Sequence, residues 1–189
     1  MHQTEQEIND EVAILKSCQR NPEAFGLIYE KYYKQIFLFI ERRISDQATS
    51  GDLTSQVFLK AMLSLEKYKF KGVPFSAYLY RIASNQINEF YRKSKHQRVI
   101  SLEDYHVSNL FEDMESGNGD GRTELLVELL NELDDAEVQL LELRFFEQRA
   151  FKEVAYILDI TENNTKVKTY RILDKLKKIA VSKNLSGNF

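Results

Sequence analysis

Two prolines, Pro22 and Pro74, are the only ones in 189 residues dominated by helix-forming side chains. Proline removes a backbone donor and clashes with the preceding helical turn, so a chain this poor in it is free to be helical nearly throughout. The spacing of apolar residues then sets the segments. Residues 10–17 read as a short amphipathic helix stopped by "NPEAF", where Asn21 is placed to cap, Pro22 to occupy the first helical position and Glu23 to sit in the first turn. A second helix is predicted over about 22–44, with apolar residues three to four apart. "TSGDL" restarts the chain, and Leu53, Val57, Leu59, Met62, Leu63 and Leu65 carry a third helix to about 67. "KYKFKGVP" is a loop by its glycine and proline, and a fourth helix follows over about 75–96.

Between 97 and 122 this pattern stops. No period is sustained, three of the seven glycines occur there, and Glu103 to Asp120 holds six acids and no Lys or Arg. Such a stretch cannot bury enough apolar surface to offset the entropy of ordering, so it reads as a flexible acidic linker. Helical pattern resumes with Thr123 as an expected N-cap, then "LDDAEVQLLELRFFE" with Asp134 and Glu137 at capping-box spacing, then "FKEVAYILDI" and "TENNTKVKTYRILDKLKKIA". The fold class expected is therefore all-α: two small helical domains, 1–96 and 123–189, joined by a linker at 97–122.

Composition excludes several functions. Apolar residues at 43% permit a real core, and a net charge of −3 gives no overall basic signal, so any nucleic-acid surface must be local. Cys18 is the single cysteine; it rules out an internal disulfide and reads as a small buried hydrophobe. The opening "MHQTEQEINDEV" lacks the charged and apolar regions of a signal peptide, and no apolar run approaches the roughly 18 residues a membrane span needs, so a cytoplasmic location is expected. His2, His96 and His106 are scattered and form no metal-ligand spacing with Cys18 or an acid pair. With no phosphate-cradling glycine loop and no nucleophile motif, neither catalysis, a cofactor nor a small-molecule substrate is expected.

The last two segments have the layout of a helix-turn-helix: a short helix, a tight turn and a longer basic helix. Ala155 lets the helices approach, Ile160 plugs between them, and Asp159 stands where glycine is usual, tolerating a left-handed backbone. At about 100° per residue, Thr165, Thr169, Ile172, Leu176 and Ile179 fall on one stripe of the final helix, the core face. Asn164, Lys168, Arg171, Lys175 and Lys178 fall on a neighbouring one, and from residue 163 onward there are seven Lys or Arg against one Asp. Such a face enters a major groove, with Asn and Arg reading base edges and lysines holding phosphates. A solvated lysine-rich helix end is the competing explanation.

In "FSAYLYRIASNQINEFYRKSK", residues 75–95, Leu79, Ile82, Ala83, Ile87 and Phe90 form a core face. Tyr78, Arg81, Asn85, Asn88 and Arg92 line another side, with Glu89 the only acid and off the stripe. The loop before it alternates Lys67, Lys69 and Lys71 with Tyr68, Phe70 and Phe75. Cations that follow a backbone and rings that stack on bases suit unpaired nucleic acid, although Phe75 and Tyr80 equally fit the cap of a helix bundle.

One module for duplex DNA and another for separated strands suit a protein that opens promoters. The chain resembles the bacterial extracytoplasmic-function (ECF) sigma factors of the sigma-seventy superfamily over about 20–95 and 123–180. "DLTSQVFLKA" is similar to the family's polymerase-clamp helix, "YLYRIASNQINEFYRK" to its promoter-melting helix, and "LDDAEVQLLELRFFEQRAFKEVAYILDITENNTKVKTYRILDKL" to its C-terminal helix-turn-helix. The resemblance implies that Asp52, Leu53 and Gln56 dock on the coiled coil of the largest subunit of core RNA polymerase, with the polymerase flap a further contact. It implies that the loop 67–74, with Lys67, Lys69, Phe70 and Lys71, holds a flipped minus-ten base, and that Tyr78, Arg81, Asn85 and Arg92 support the open strand. Asn164, Lys166, Lys168, Arg171 and Lys175 then serve the minus-thirty-five element, and the linker threads the RNA channel. An anti-sigma protein is a further implied partner. Ser55 and Gln56 replace the family's usual Gln and Glu, Tyr78 its Trp, Thr165 an aliphatic residue and Asp159 a glycine. No further domain is expected after the helix-turn-helix.

Two other readings compete on residues alone. One is a stand-alone helix-turn-helix DNA-binding regulator with the first block as its dimerisation or effector domain; the other is a protein that binds polymerase without directing initiation.

Overall fold

The computed structural model describes residues 5–19, 21–44, 46–94 and 128–186. No strand occurs among them. The helices are α1 (Glu5–Cys18), α2 (Phe25–Ile44), α3 (Gln47–Ser64), α4 (Phe75–Ser94), α5 (Asp135–Leu141), α6 (Phe151–Leu158) and α7 (Glu162–Ser186). Short 3-10 turns, Pro22–Ala24 and Leu65–Lys67, lead into α2 and out of α3, and a π turn, Glu142–Phe146, prolongs α5. The expected linker at 97–122 and the expected cap Thr123 lie outside the described residues. Contacts group the helices into two compact units, one centred on α1–α4 and one on the segments beyond residue 128.

In the first unit α2, α3 and α4 pack on one another, with α1 against α2. Ile28, Ile36 and Ile40 of α2, Val57 and Ala61 of α3 and Leu79, Ala83 and Ile87 of α4 are all buried. Each large side chain withdrawn from water contributes about 1.5–3 kcal/mol, which is what holds three helices with polar outer faces together. Phe39 meets Tyr80 edge to face at 4.6 Å, and the Arg43 guanidinium lies 3.8 Å from the Phe39 ring centroid. The Arg43 carbonyl accepts from the Tyr91 hydroxyl, tying the end of α2 to α4.

Asn21 caps as expected, its side chain accepting from the Glu23 N–H at 3.1 Å, with Pro22 in the first position. Two boundaries differ from expectation. Helix α1 is already under way at Glu5, earlier than the 10–17 window. Helix α3 begins at Gln47, because Asp46 accepts from the Thr49 N–H at 2.7 Å and caps it before "TSGDL" is reached. A β-carbon on Gly51 would meet nothing within 4 Å, so that glycine marks no close approach. It costs only its helix propensity, about 1 kcal/mol relative to alanine.

In the second unit the capping box is present in both directions: Asp134 accepts from the Glu137 N–H at 2.8 Å, and Glu137 accepts from the Asp134 N–H at 3.0 Å. The same Glu137 carboxylate holds Lys175 of α7 at 2.7 Å, so the start of α5 is also fastened to α7. Replacing Asp134 by alanine is expected to lower the stability of this unit by about 1 kcal/mol, read as an earlier calorimetric transition. The π turn brings Leu143, Phe145 and Phe146 all inside, and the chain then reverses at Gln148, whose φ is 51°. Helix α6 ends at Leu158, Asp159 follows it with φ 58°, and the Ile160 N–H bonds the Ala155 carbonyl at 3.0 Å. That is the six-to-one bond of a Schellman end, with aspartate in the glycine position. Ala155 is buried and Ile160 half-buried, as a helix-turn-helix requires.

Candidate nucleic-acid interfaces

Helix α7 starts where the Thr161 side chain accepts from the Asn164 N–H at 3.2 Å. Thr165, Thr169, Ile172 and Leu176 are buried and Ile179 half-buried, as the projection predicts. The two buried threonines carry no unmet donor: Thr165 donates to the Thr161 carbonyl at 3.0 Å and Thr169 to the Thr165 carbonyl at 2.9 Å. A hydroxyl in this aliphatic position is therefore satisfied within its own helix. Asn164, Lys166, Lys168, Arg171 and Lys178 are exposed.

The cations on this helix are not equivalent. Lys166 is held by Glu162 at 2.7 Å, Lys178 by Asp174 at 2.8 Å, and the half-buried Lys175 by Glu137. Lys168 and Arg171 have no ion pair among the described residues. The exposed arc also reaches further round than the expected stripe. Tyr170 is 65% and Val167 38% exposed, beside Arg171 on the side opposite Leu176. Sequence reasoning passed over them because apolar residues were sought in the core; their angle, about 100° per residue from Thr165 and Thr169, identifies them as outward. An apolar surface beside Asn and Arg donors suits the methyl group of thymine.

In the first unit the loop between α3 and α4 presents Lys67, Lys69 and Lys71, all exposed, with Phe70 45% exposed among them. Gly72 turns the chain at φ 71°, a conformation that favours glycine, so that Val73 and Pro74 enter the core. Behind the loop three rings form a triangle: Tyr68–Phe75 at 5.2 Å, Tyr68–Tyr78 at 5.1 Å and Phe75–Tyr78 at 5.5 Å. Of the two expectations for Phe75, the bundle cap is the one that holds, because the ring is buried and supports the loop from beneath. Tyr80 is likewise core. Tyr78 is half-buried, its hydroxyl 2.6 Å from that of Ser64. Along α4, Asn85, Asn88 and Arg92 are exposed and Arg81 half-buried, so the polar stripe is continuous. Glu89 bonds Lys93 at 2.7 Å, and that ammonium holds its carboxyl below the ordinary value.

On α3, Asp52 and Gln56 are exposed. Leu53, expected to contact polymerase with them, is instead buried and forms part of the floor of an α3–α4 groove of about 400 Å³ rimmed by Gln56, Lys60 and Glu89. Leu59 and Leu63, two of the apolar residues whose spacing carries this helix, stand 52% and 72% exposed. Neighbouring Tyr29 of α2 packs on Phe58 at 4.8 Å and on Tyr33 at 5.0 Å. Among the described residues there is no cluster of three metal-ligating side chains, and no helix is long and apolar enough to cross a membrane.

The sigma-70 region 2 family matches residues 28–97, and the sigma-70 region 4 family matches residues 129–178. Together they cover well over half of the chain and coincide with the two helical units, which makes it a two-domain protein of the sigma-70 class. The ECF RNA polymerase sigma factor BldN of Streptomyces coelicolor is 25% identical over 162 residues, 83% of this chain and 60% of that protein. The chain thus spans less than two thirds of that relative. The ECF RNA polymerase sigma factor SigM of Bacillus subtilis is 24% identical over 152 residues, 79% of this chain and 91% of the relative. A solved structure of CnrH in complex with the cytosolic domain of CnrY shares the fold, with a TM-score of 0.59 and 17% identity over 91% of this chain and 97% of that one. The chain belongs to the sigma-70 family, and the relatives BldN and SigM are both ECF sigma factors. A stand-alone regulator is not favoured, since the first unit is matched by sigma-70 region 2.

Proposed function

We propose that the chain directs core RNA polymerase to promoters and opens them, with its two units gripping the DNA at two points. Residues 1–96 dock on the polymerase coiled coil through the α3 face of Asp52 and Gln56. Their loop of Lys67, Lys69, Phe70 and Lys71 holds an unpaired minus-ten base, and Tyr78, Arg81, Asn85 and Arg92 support the separated strand. Residues 123–189 read the minus-thirty-five element through α7, with Arg171 and Asn164 on base edges and Lys168 and Lys166 on phosphates. Residues 97–122 pass through the RNA channel, and the polymerase flap seats the second unit. A solved relative in fold, CnrH, is bound to the cytosolic domain of another protein, and we extend the partners to an anti-sigma protein.

The observation that carries this reading is the division of α7. Thr165, Thr169, Ile172 and Leu176 are buried while Asn164, Lys168 and Arg171 are exposed, so the helix has a base-reading face that its own core does not consume. The test is transcription in vitro from a library of promoters with core enzyme, with and without the chain. Chain-dependent transcripts starting at defined sites support it. A duplex footprint by the chain alone, with no effect on core enzyme, would overturn it.

A further inference from the structure

Helix α4 begins with an uncapped turn by its own sequence. Pro74, immediately before it, has no side-chain acceptor, yet the first N–H groups of a helix need one. The acceptor comes from 64 residues away: Oε2 of Glu11, on α1, takes the Phe75 N–H at 2.8 Å. The Glu11 side chain is only 2% exposed. Its other oxygen accepts from Lys31 Nζ at 3.0 Å and from the Tyr32 hydroxyl. A buried carboxylate persists only where donors satisfy it, and a negative charge at a helix N-terminus is favourable. Just past the same helix, Gln19 donates from Nε2 to the Leu65 carbonyl at 2.8 Å.

Leu65 and Phe75 are the two ends of the cationic loop. We infer that α1 is a strap that fixes both ends of that loop, with Glu11 and Gln19 as positioning residues for strand opening. The inference rests on the function proposed above. Lys67, Lys69, Phe70 and Lys71 can capture a base only while the loop is held in shape, and pinning its ends before DNA arrives removes ordering entropy from the opening step. Neither Glu11 nor Gln19 needs to touch DNA.

The test is to assemble holoenzyme with wild-type chain, Glu11→Ala, Glu11→Gln and Gln19→Ala, and to compare a duplex promoter with the same promoter carrying a mismatched, already open minus-ten segment. Opening is followed by permanganate reactivity and initiation by the first transcript. Glu11→Ala is expected to open the duplex about tenfold more slowly or worse while initiating at the wild-type rate from the open template. Glu11→Gln, which keeps an oxygen for the Phe75 N–H, falls between, and Gln19→Ala shows a smaller loss of the same kind. Equal losses on both templates, or a wild-type opening rate in Glu11→Ala, overturn the inference. If Glu11→Ala does not fold, the half-exposed Gln19 bond decides: a loss confined to the duplex supports the strap, and no difference overturns it. A wild-type chain inert on both templates would instead overturn the proposed function, and the strap with it.

Discussion

Replacing Lys168 and Arg171 together by alanine is expected to cut transcript yield from a cognate promoter by about a hundredfold. A base-edge contact of arginine is worth about 1–3 kcal/mol of discrimination, and a phosphate contact adds to affinity without sequence preference. The two losses separate by experiment. Arg171→Ala should relax the sequence preference at one minus-thirty-five position, whereas Lys168→Ala should weaken all promoters alike and lower the slope of log affinity against log salt by about one. Both side chains are exposed, on a stripe neighbouring that of the buried Ile172 and Leu176, so the melting temperature should move by no more than about 2 °C. Lys175→Ala should behave differently. Its ammonium is committed to Glu137, which also closes the capping box of α5, so that substitution should reduce stability more than promoter choice.

Phe70→Ala should slow appearance of permanganate-reactive thymines in the minus-ten element about tenfold or more, with little change in initial binding to the duplex. Stacking of a base on an aromatic ring is worth about 1–3 kcal/mol, and it becomes available only after the base leaves the helix. Phe70 is nearly half exposed at the tip of the loop, while the neighbouring rings are engaged with one another. Tyr68→Ala or Phe75→Ala should therefore lower the stability of the first unit and impair every step together. An unchanged opening rate in Phe70→Ala, with the protein folded, would remove the loop from the mechanism.

The helices themselves were legible because their signals are local. Asn21 before Pro22 and Asp134 before Glu137 fix helix starts by hydrogen bonds between near neighbours, and scarcity of proline leaves the stretches between them uninterrupted. The core stripe of α7 was equally legible, since angle alone separates Thr165, Thr169, Ile172 and Leu176 from Lys168 and Arg171. What sequence could not reveal is whatever depends on a partner distant in the chain. Phe75 fitted a ligand-facing ring and a bundle cap equally until its packing on Tyr68 and Tyr78 decided for the core, and the burial of Leu53 on the floor of the α3–α4 groove depends on a helix distant in the chain. Leu59 and Leu63 show the reverse: helical spacing says which side chains share a face, and only the packing of α2 and α4 says which face is left outside. The Glu11–Phe75 bond joins residues 64 apart and has no periodic signature at all.

The two joints flanking α6 have a practical consequence. Gln148 and Asp159 each hold a left-handed backbone, which glycine adopts more readily than glutamine and, by a smaller margin, than aspartate. Glycine at either place would relieve that conformational penalty at the expense of a looser unfolded chain, with a balance of up to about 1 kcal/mol in favour of the native form. Anyone wishing to make this protein more heat-tolerant for biotechnology would begin with two codons, neither of which belongs to a surface assigned to DNA or polymerase.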